Sequence, residues 1–199
     1  MQRRGCGRAR RSRMAERLEL APDGSVGPTG RSYWIVEGRF AAGAYPGKRG
    51  RRELDQIPEV TVKVLEAGID TFVNLTQDYP GGTDGHLDHY DDDVIGAAVV
   101  KRFAIRDVSI PGVDLMVEVL DFIDDCLEHG RNPYVHCWGG TGRTGTVVGC
   151  WLIRHGYTDS DGVFDELARI RIGDLEAGHR GSPQVPEQWE FVRSWREGQ

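Results

Sequence analysis

The chain lacks the features that mark a membrane-spanning, secreted or zinc-binding protein. No stretch of its 199 residues approaches about 18 consecutive apolar residues, so no membrane-spanning helix is predicted. No apolar core follows the N-terminal arginines, which excludes a secretory signal. The four cysteines are not paired at the spacing of a metal site. These absences favour a cytoplasmic protein whose thiols stay reduced.

Acidic residues are scarce at the start of the chain. Seven arginines stand against Glu16 and Glu19 in the first twenty residues, a net charge of +5 that leaves −11 for the rest of a chain of net charge −6. Such a segment could contact nucleic acid or an anionic surface, but its composition favours a disordered tail. Met14 is an alternative start. We predict a basic, disordered arm over 1–30 and one compact domain over 31–199, with neither a membrane nor a nucleic-acid partner.

Strand and helix patterns alternate along the rest of the chain, and no internal repeat is present. Strands are predicted at 33–36, 39–43, 69–75, 97–105 and 133–136, and helices at 53–67, 113–129, 144–155, 161–172 and 186–196. The first two strands form a hairpin, with the turn at Glu37 and Gly38. This alternation predicts a single α/β domain with a central, mostly parallel, twisted sheet of about four to five strands flanked by helices.

The run from Tyr134 to Gly145 passes from an apolar strand through a glycine-rich turn into an apolar helix. Such a turn lets backbone N–H groups face inward as an anion-binding nest, and the helix N-terminus favours negative charge at the same place. A cysteine there, Cys137, is expected to be largely thiolate near neutral pH. The predicted phosphate-binding residues are Trp138, Gly139, Gly140, Thr141, Gly142 and Arg143, the last through its planar guanidinium.

Cys137, five residues, Arg143 and then Thr144, preceded by His136, resembles the signature of the cysteine-dependent protein tyrosine and dual-specificity phosphatases. The resemblance spans about 33–195. It implies the catalytic roles of Cys137 and Arg143, a Thr144 hydroxyl that hydrogen-bonds the cysteine sulfur, and a buried His136 that orders the loop. Rhodanese-like sulfur transferases also use a cysteine loop that ends in arginine, but they lack the acid described next.

Asp107 is the candidate general acid, since an alkoxide or phenoxide needs a proton to leave. It follows a predicted strand, and its spacing to Pro111 resembles the family's mobile acid loop. Ile105 and Arg106 stand where tyrosine-specific members often have Trp-Pro, which is nearer the dual-specificity pattern. Asp107 could alternatively be a turn or helix-capping residue.

Two glutamines near the C-terminus resemble the loop that positions the hydrolytic water in this family. They are Gln184 and Gln188, although Val185 replaces the usual threonine, and Gln188 could simply be a first-turn helix residue. The polar, acidic segment 76–96 is expected to be a surface connection near the active-site rim. A metal site there stays open as an alternative, although no known ligand spacing occurs.

The resemblance implies a phosphomonoester hydrolase that forms a phosphocysteine and needs no metal or cofactor. Because the cradle has no lysine, which relatives directed at lipid and inositol phosphates use, we expect phosphoprotein substrates: phosphotyrosine, with phosphoserine or phosphothreonine as further targets. A sugar or nucleotide phosphatase and a non-catalytic phosphate-binding module are the alternatives. The remaining cysteines, Cys126 and Cys150, could trap an oxidised Cys137, but their apolar helical faces favour core positions.

Overall fold

The protein folds around one five-stranded sheet, seen in a computed structural model that describes residues 17–47 and 57–199. The strands are β1 (Ser32–Val36), β2 (Phe40–Gly43), β3 (Thr71–Asn74), β4 (Val99–Arg102) and β5 (Pro133–His136). They lie in the order β1-β2-β5-β3-β4, and each neighbouring pair is parallel except the β1–β2 hairpin. The predicted mostly parallel sheet with a hairpin at its edge is confirmed.

Five helices flank this sheet in the described part of the chain. They are α1 (Ile57–Glu66), α2 (Val113–Glu128), α3 (Gly142–Arg154), α4 (Val163–Arg171) and α5 (Pro186–Ser194). Each overlaps a predicted helix, although residues 53–56 of the first prediction lie outside the described residues. Helix α3 begins two residues earlier than predicted, because Gly142 and Arg143 adopt helical backbone although glycine is a poor helix former.

Helix α3 is the centre of the core. Every residue of α3 from Gly142 to Ile153 is buried, and Trp151 packs edge-on against Phe40 with ring centroids 5.1 Å apart. Truncating a buried tryptophan to alanine costs about 3–5 kcal/mol, so the Trp151 side chain as a whole is important for the stability of the domain. Since α3 is buried over almost its whole length, its N-terminus is held at one position against the sheet.

The core cysteines are where the sequence predicts them. Cys126 of α2 and Cys150 of α3 are buried free thiols. Burial raises the pKa of both, so neither is a ready partner for thiol exchange near neutral pH. Val113, at the start of the predicted helix 113–129, does not pack into the core, because residues 112–114 are exposed to solvent.

The chain packs on the domain well before residue 31. Arg17 lies over the ring of Tyr157 at 4.4 Å, and the Ala21 N–H donates to Ile35 O at 2.8 Å, with the Ala21 side chain buried. The packed part of the chain therefore begins by Arg17, which is earlier than the predicted boundary at 30. Residues 1–16 of the predicted arm lie outside the described residues.

The sheet brings three loops to one edge. Strands β3, β4 and β5 are parallel and adjacent in the order β5-β3-β4, so their carboxyl ends meet there. The loop after β5 carries Cys137, the loop after β4 carries Asp107, and the segment after β3 carries Asp84. This edge is where α/β sheets place their ligand sites.

None of the helices in the described part of the chain has the length and apolar character needed to cross a membrane.

Candidate active site

The loop from β5 to α3 lines a pocket together with Cys137. The N–H groups of residues 139–143 donate to no acceptor in the described part of the chain, and Thr141, at the N-cap of α3, makes no capping bond with its side chain. The start of α3 therefore keeps its free donors beside Cys137, which is buried at the end of β5. This is the geometry of an anion-binding nest.

Four carbonyl groups of this loop, by contrast, have hydrogen-bond donors. They accept hydrogen bonds in four pairs: Trp138 O from the Tyr45 N–H (3.2 Å), Gly139 O from Arg31 (3.1 Å), Thr141 O from Ser182 (2.8 Å) and Gly142 O from Thr146 (3.0 Å). Gly140 makes this turn possible, since its φ of +73° favours glycine. A Cβ there would lie 2.6 Å from the backbone of Gly43. The cradle is thus shaped before any anion binds.

Arg143 is a buried arginine held by a buried carboxylate. Its Nη1 donates to Asp84 Oδ2 at 2.7 Å and its Nη2 to Asp84 Oδ1 at 2.9 Å, a bidentate pair in which both side chains are almost fully enclosed. Nη1 also donates to Ile105 O at 3.0 Å. Burial opposes ionisation of Asp84, but the hydrogen bonds from Arg143 hold its pKa below the ordinary value. Asp84 thus fixes the plane and the charge of the guanidinium.

Arg143 lines the pocket together with Cys137 and Asp107, and its Nε edge is not used by Asp84. Its Nε is buried and has no hydrogen-bond partner among the described residues, and Nη2 lies 2.8 Å from Asp107 Oδ1. A buried N–H group without a partner is rare, because leaving it unpaired costs about 1–3 kcal/mol. The Nε and Nη2 donors are spaced to bind two oxygens of one phosphate. Asp107 therefore contacts one of the two donors, Nη2, that a phosphate would use.

The loop that carries Asp107, called the acid loop from here on, is held by hydrogen bonds at two points. The Asp107 N–H donates to Thr83 Oγ1 at 3.0 Å, and Ser109 O accepts a hydrogen bond from Gln188 Nε2 at 3.0 Å. Between them, Val108 has a φ of +56°, which is unfavourable for a β-branched residue by about 1–3 kcal/mol. The two hydrogen bonds hold the loop in this conformation, which keeps Asp107 at the pocket.

The two glutamines have different positions. Gln184 lines the pocket, whereas Gln188 is fully buried, accepts the Gln184 N–H at 3.1 Å and reaches the acid loop at Ser109. Gln184 therefore lies in the wall of the same pocket as Cys137. Gln188 joins the glutamine loop to the acid loop and is more than a first-turn helix residue.

His136 and Thr144 support the loop from behind. His136 is fully buried, its Nε2 lies 2.6 Å from the Tyr90 hydroxyl, and burial lowers its pKa to about 3, so the ring is neutral at physiological pH. The Thr144 hydroxyl is buried but has no hydrogen-bond partner within the described residues. The expected bond from Thr144 to the cysteine sulfur is therefore not formed in this arrangement.

The pocket above the cradle is larger than a phosphate group. It has a volume of about 850 Å³ and runs from Cys137 and Asp107 to the segment 175–184. Trp138, at its mouth, keeps 40% of its surface exposed, and Leu175, on the far wall, keeps 66%. The site thus has room and apolar surface for more than the phosphate itself.

Asp84 is the functional residue that the sequence analysis missed. It was one of several carboxylates in the segment 76–96, which was expected at the rim of the site. No motif distinguishes Asp84 from its neighbours. The available signal was indirect: a buried arginine needs a buried counter-charge.

One group of described residues in this segment has metal-ligand types within reach of one another: Asp78, His89 and Asp91. Asp78 already accepts hydrogen bonds from Tyr45, Asn74 and Arg102, which bring its pKa to about 2 although burial opposes ionisation. Its carboxylate is therefore committed to a hydrogen-bond network.

Replacing Asp84 with asparagine is expected to damage both stability and phosphate binding. Loss of one charge of a buried ion pair should lower the free energy of unfolding by about 3 kcal/mol. A misplaced Arg143 should lower kcat/KM by roughly 10² and weaken inhibition by inorganic phosphate. Chemical denaturation and steady-state kinetics measure both effects.

The pH dependence of stability gives a second check on Asp84. Its folded-state pKa lies below the unfolded value of about 3.9, so its contribution is present above that pH and is lost as the pH falls through the folded-state pKa. The difference in stability between wild type and Asp84→Asn should narrow in acid. Asp92→Asn, at an exposed carboxylate of the same segment, is the control and should change stability by less than about 0.5 kcal/mol. An Asp84 variant that matches this control would contradict the assignment.

Comparison with known proteins finds that this chain is similar to phosphatases. A family model described as "Polymorphic toxin system, DSP-PTPase phosphatase" matches residues 48–157, just over half of the chain. The dual specificity protein phosphatase CDC14B of Mus musculus is 30% identical over 129 residues, which are 61% of this chain and 24% of that protein. Cyclin-dependent kinase inhibitor 3 of Sus scrofa is 29% identical over 99 residues, 50% of this chain and 44% of that protein. The chain therefore spans less than half the length of these curated relatives.

A solved structure shows the same fold. The crystal structure of a mutant form of Tk-PTP superposes with a TM-score of 0.58 and 27% identity, over 80% of this chain and 91% of that one. The matched family region includes Asp84, Asp107, Cys137 and Arg143, the residues that meet at the sheet edge. The chain thus belongs to the cysteine-based dual-specificity phosphatases of the DSP-PTPase family.

Proposed function

We propose that this protein is a phosphomonoester hydrolase that dephosphorylates phosphoproteins, at phosphotyrosine and at phosphoserine or phosphothreonine, through a phosphocysteine intermediate. The observation that carries the proposal is the arrangement around Arg143. Its buried Nε has no partner among the described residues, its Nη2 lies 2.8 Å from Asp107, and Arg143 lines the same pocket as Cys137 and Asp107. Nucleophile, anion site and acid are therefore in one place.

In the first step, the Cys137 sulfur attacks phosphorus, the phosphorus–oxygen bond to the leaving group breaks, and Asp107 gives its proton to that oxygen. The nest and Arg143 stabilise the three equatorial oxygens throughout. A phosphate held by Nε and Nη2 of Arg143 takes the position on Nη2 that Asp107 now shares. Phosphate binding therefore releases Asp107 toward the leaving group.

In the second step, water hydrolyses the phosphocysteine. Asp107, now a carboxylate, takes a proton from the water that Gln184 positions, the water oxygen bonds to phosphorus, and the sulfur leaves as the thiolate. Gln188 holds the two loops together, because it is hydrogen-bonded both to Gln184 and to Ser109 of the acid loop. No step requires a metal. The reaction belongs in a reducing cytoplasmic compartment, where Cys137 stays active.

The pocket supports a peptide as the substrate. The exposed Trp138 and Leu175 offer apolar contact to side chains that flank a phosphorylated residue, and the cradle offers no lysine for clustered phosphates. A sugar or nucleotide phosphate would use the same cradle but little of this apolar surface. A non-catalytic module is disfavoured, because it would need neither the acid nor the nucleophile.

A substrate panel tests the proposal. Phosphotyrosine and phosphothreonine peptides should have kcat/KM values at least about 10-fold above those of sugar and nucleotide monophosphates, the scale of one well-packed apolar contact. EDTA should leave the rates unchanged. A metabolite that exceeds every peptide would replace the phosphoprotein assignment, and loss of activity on chelation would replace the mechanism.

A further inference from the structure

The far wall of the pocket carries a cation that the catalytic cycle does not use. Arg180 lines the pocket beside Leu175 and Ala177. Its side chain is exposed, and its guanidinium makes no ion pair and no hydrogen bond within residues 17–47 and 57–199. An exposed guanidinium on a pocket wall is a ready donor for a carboxylate or a phosphate.

The other arginines that line the pocket are paired with carboxylates. Arg143 is paired with Asp84 and Asp107. The charge of Arg31 is balanced by Asp174 at 3.5 Å and Glu176 at 3.7 Å, and its Nη2 is used by Gly139 O. Of the pocket-lining arginines that the structure describes, Arg180 is the one that neither pairs with a carboxylate nor is assigned to the phosphate cradle.

The backbone that carries Arg180 is fixed to the cradle. Arg171 is fully buried, and it donates to Thr141 Oγ1 of the cradle (3.3 Å), to Ala177 O (3.2 Å) and to Arg180 O (2.6 Å). The Arg180 N–H also donates to Ala177 O at 3.0 Å. The distance from the base of the Arg180 side chain to the phosphate nest is therefore set by a buried side chain, which makes this wall preorganised.

We infer that Arg180 forms a second anion subsite, which selects substrates carrying a second negative group close to the phosphate that is removed. The inference rests on the proposed function and names its substrate class: phosphopeptides with a neighbouring carboxylate or a second phosphate. Both groups suit the planar donors of arginine. The nearby Glu176 does not cancel this preference, because it is paired with Arg31.

Peptide kinetics test the subsite. Four phosphotyrosine peptides differ only at one flanking residue, which is alanine, glutamate, phosphoserine or lysine. Wild type should prefer the glutamate and phosphoserine peptides to the alanine peptide by about fivefold in KM, the scale of one partly exposed charged contact, and the preference should shrink in high salt. Arg180→Ala should abolish this preference and leave kcat/KM for the alanine peptide unchanged. Arg180→Glu should reverse it in favour of lysine.

The control variant is Arg193→Ala, at an exposed arginine of α5 that lies over Phe164 and not in the pocket. It should keep the wild-type preference. An Arg180→Ala variant that keeps the preference, or that slows all four peptides equally, overturns the subsite. The same peptides can be measured as competitive inhibitors of aryl phosphate hydrolysis. The ratio of the inhibition constants of the alanine and glutamate peptides then tests Arg180 even if no peptide is turned over. Absence of peptide turnover would count against the proposed function alone.

Discussion

Cys137→Ser is expected to lower kcat by on the order of 10⁶, the scale seen when a covalent catalyst loses its nucleophile. A serine hydroxyl is far less ionised than a thiol near neutral pH, so it gains little from the N–H nest and Arg143. The fold should survive, because the change is nearly isosteric at a residue that follows β5. Stopped-time assays with an aryl phosphate measure the rate, and thermal denaturation measures the stability.

The matched control for Cys137 is Cys126→Ala. Cys126 is also a buried free thiol, but it belongs to α2 and its pKa is raised by burial. Cys126→Ala should keep kcat and lose about 1 kcal/mol of stability, the opposite pattern to Cys137→Ser. When the wild-type enzyme is quenched with acid during turnover and then digested, the phosphorylated peptide should be the one that contains Cys137. Turnover by Cys137→Ser close to the wild-type rate would exclude the thiolate mechanism.

Asp107→Asn is expected to lower kcat by roughly 10²–10⁴, because the leaving oxygen then departs without a proton. The size of the loss should depend on the leaving group. A phosphothreonine peptide releases an alkoxide and should show the full effect, whereas an aryl phosphate with an acidic phenol should show much less. Measuring kcat for both substrates in wild type and variant separates proton donation from simple positioning of Arg143.

The control for Asp107 is Asp114→Asn, in the solvent-exposed first turn of α2. It changes the same net charge close to the acid loop and should leave both substrates within about twofold of wild type. An Asp107 effect equal for good and poor leaving groups would mean that Asp107 acts only through its contact with Arg143. An alternative acid would then have to be sought among the other residues of the pocket.

Asp107 and Asp84 both contact the guanidinium of Arg143, and in the proposed mechanism this links phosphate binding to catalysis. Asp84 is enclosed and bidentate, so it stays in place when an anion arrives. Asp107 is partly exposed and contacts Arg143 through one oxygen, so it is the carboxylate that a phosphate displaces. The strained Val108 beside it adds to the cost of holding the acid loop in its present conformation. We therefore expect Asp107, and not Asp84, to leave Arg143 when phosphate binds.

Much of the site could be predicted because it is local in sequence. The nucleophile, the turn glycines, Arg143 and the start of α3 lie within a few residues of one another, and backbone geometry alone makes that turn an anion nest. The mostly parallel sheet also followed from the alternation of strand and helix patterns. Both depend on short-range rules of backbone conformation and hydrophobic periodicity.

The sequence alone determined the cradle, the class of fold and the candidate acid. Only the tertiary structure decided which of the many carboxylates in the segment 76–96 is buried against Arg143 and which glutamine lines the pocket. It also decided that the Thr144 hydroxyl is left without a partner among the described residues and that Arg180 lines the same pocket as Cys137. The physical reason is that ion pairing and burial depend on distances between segments far apart in the chain, and no spacing in the sequence records those distances.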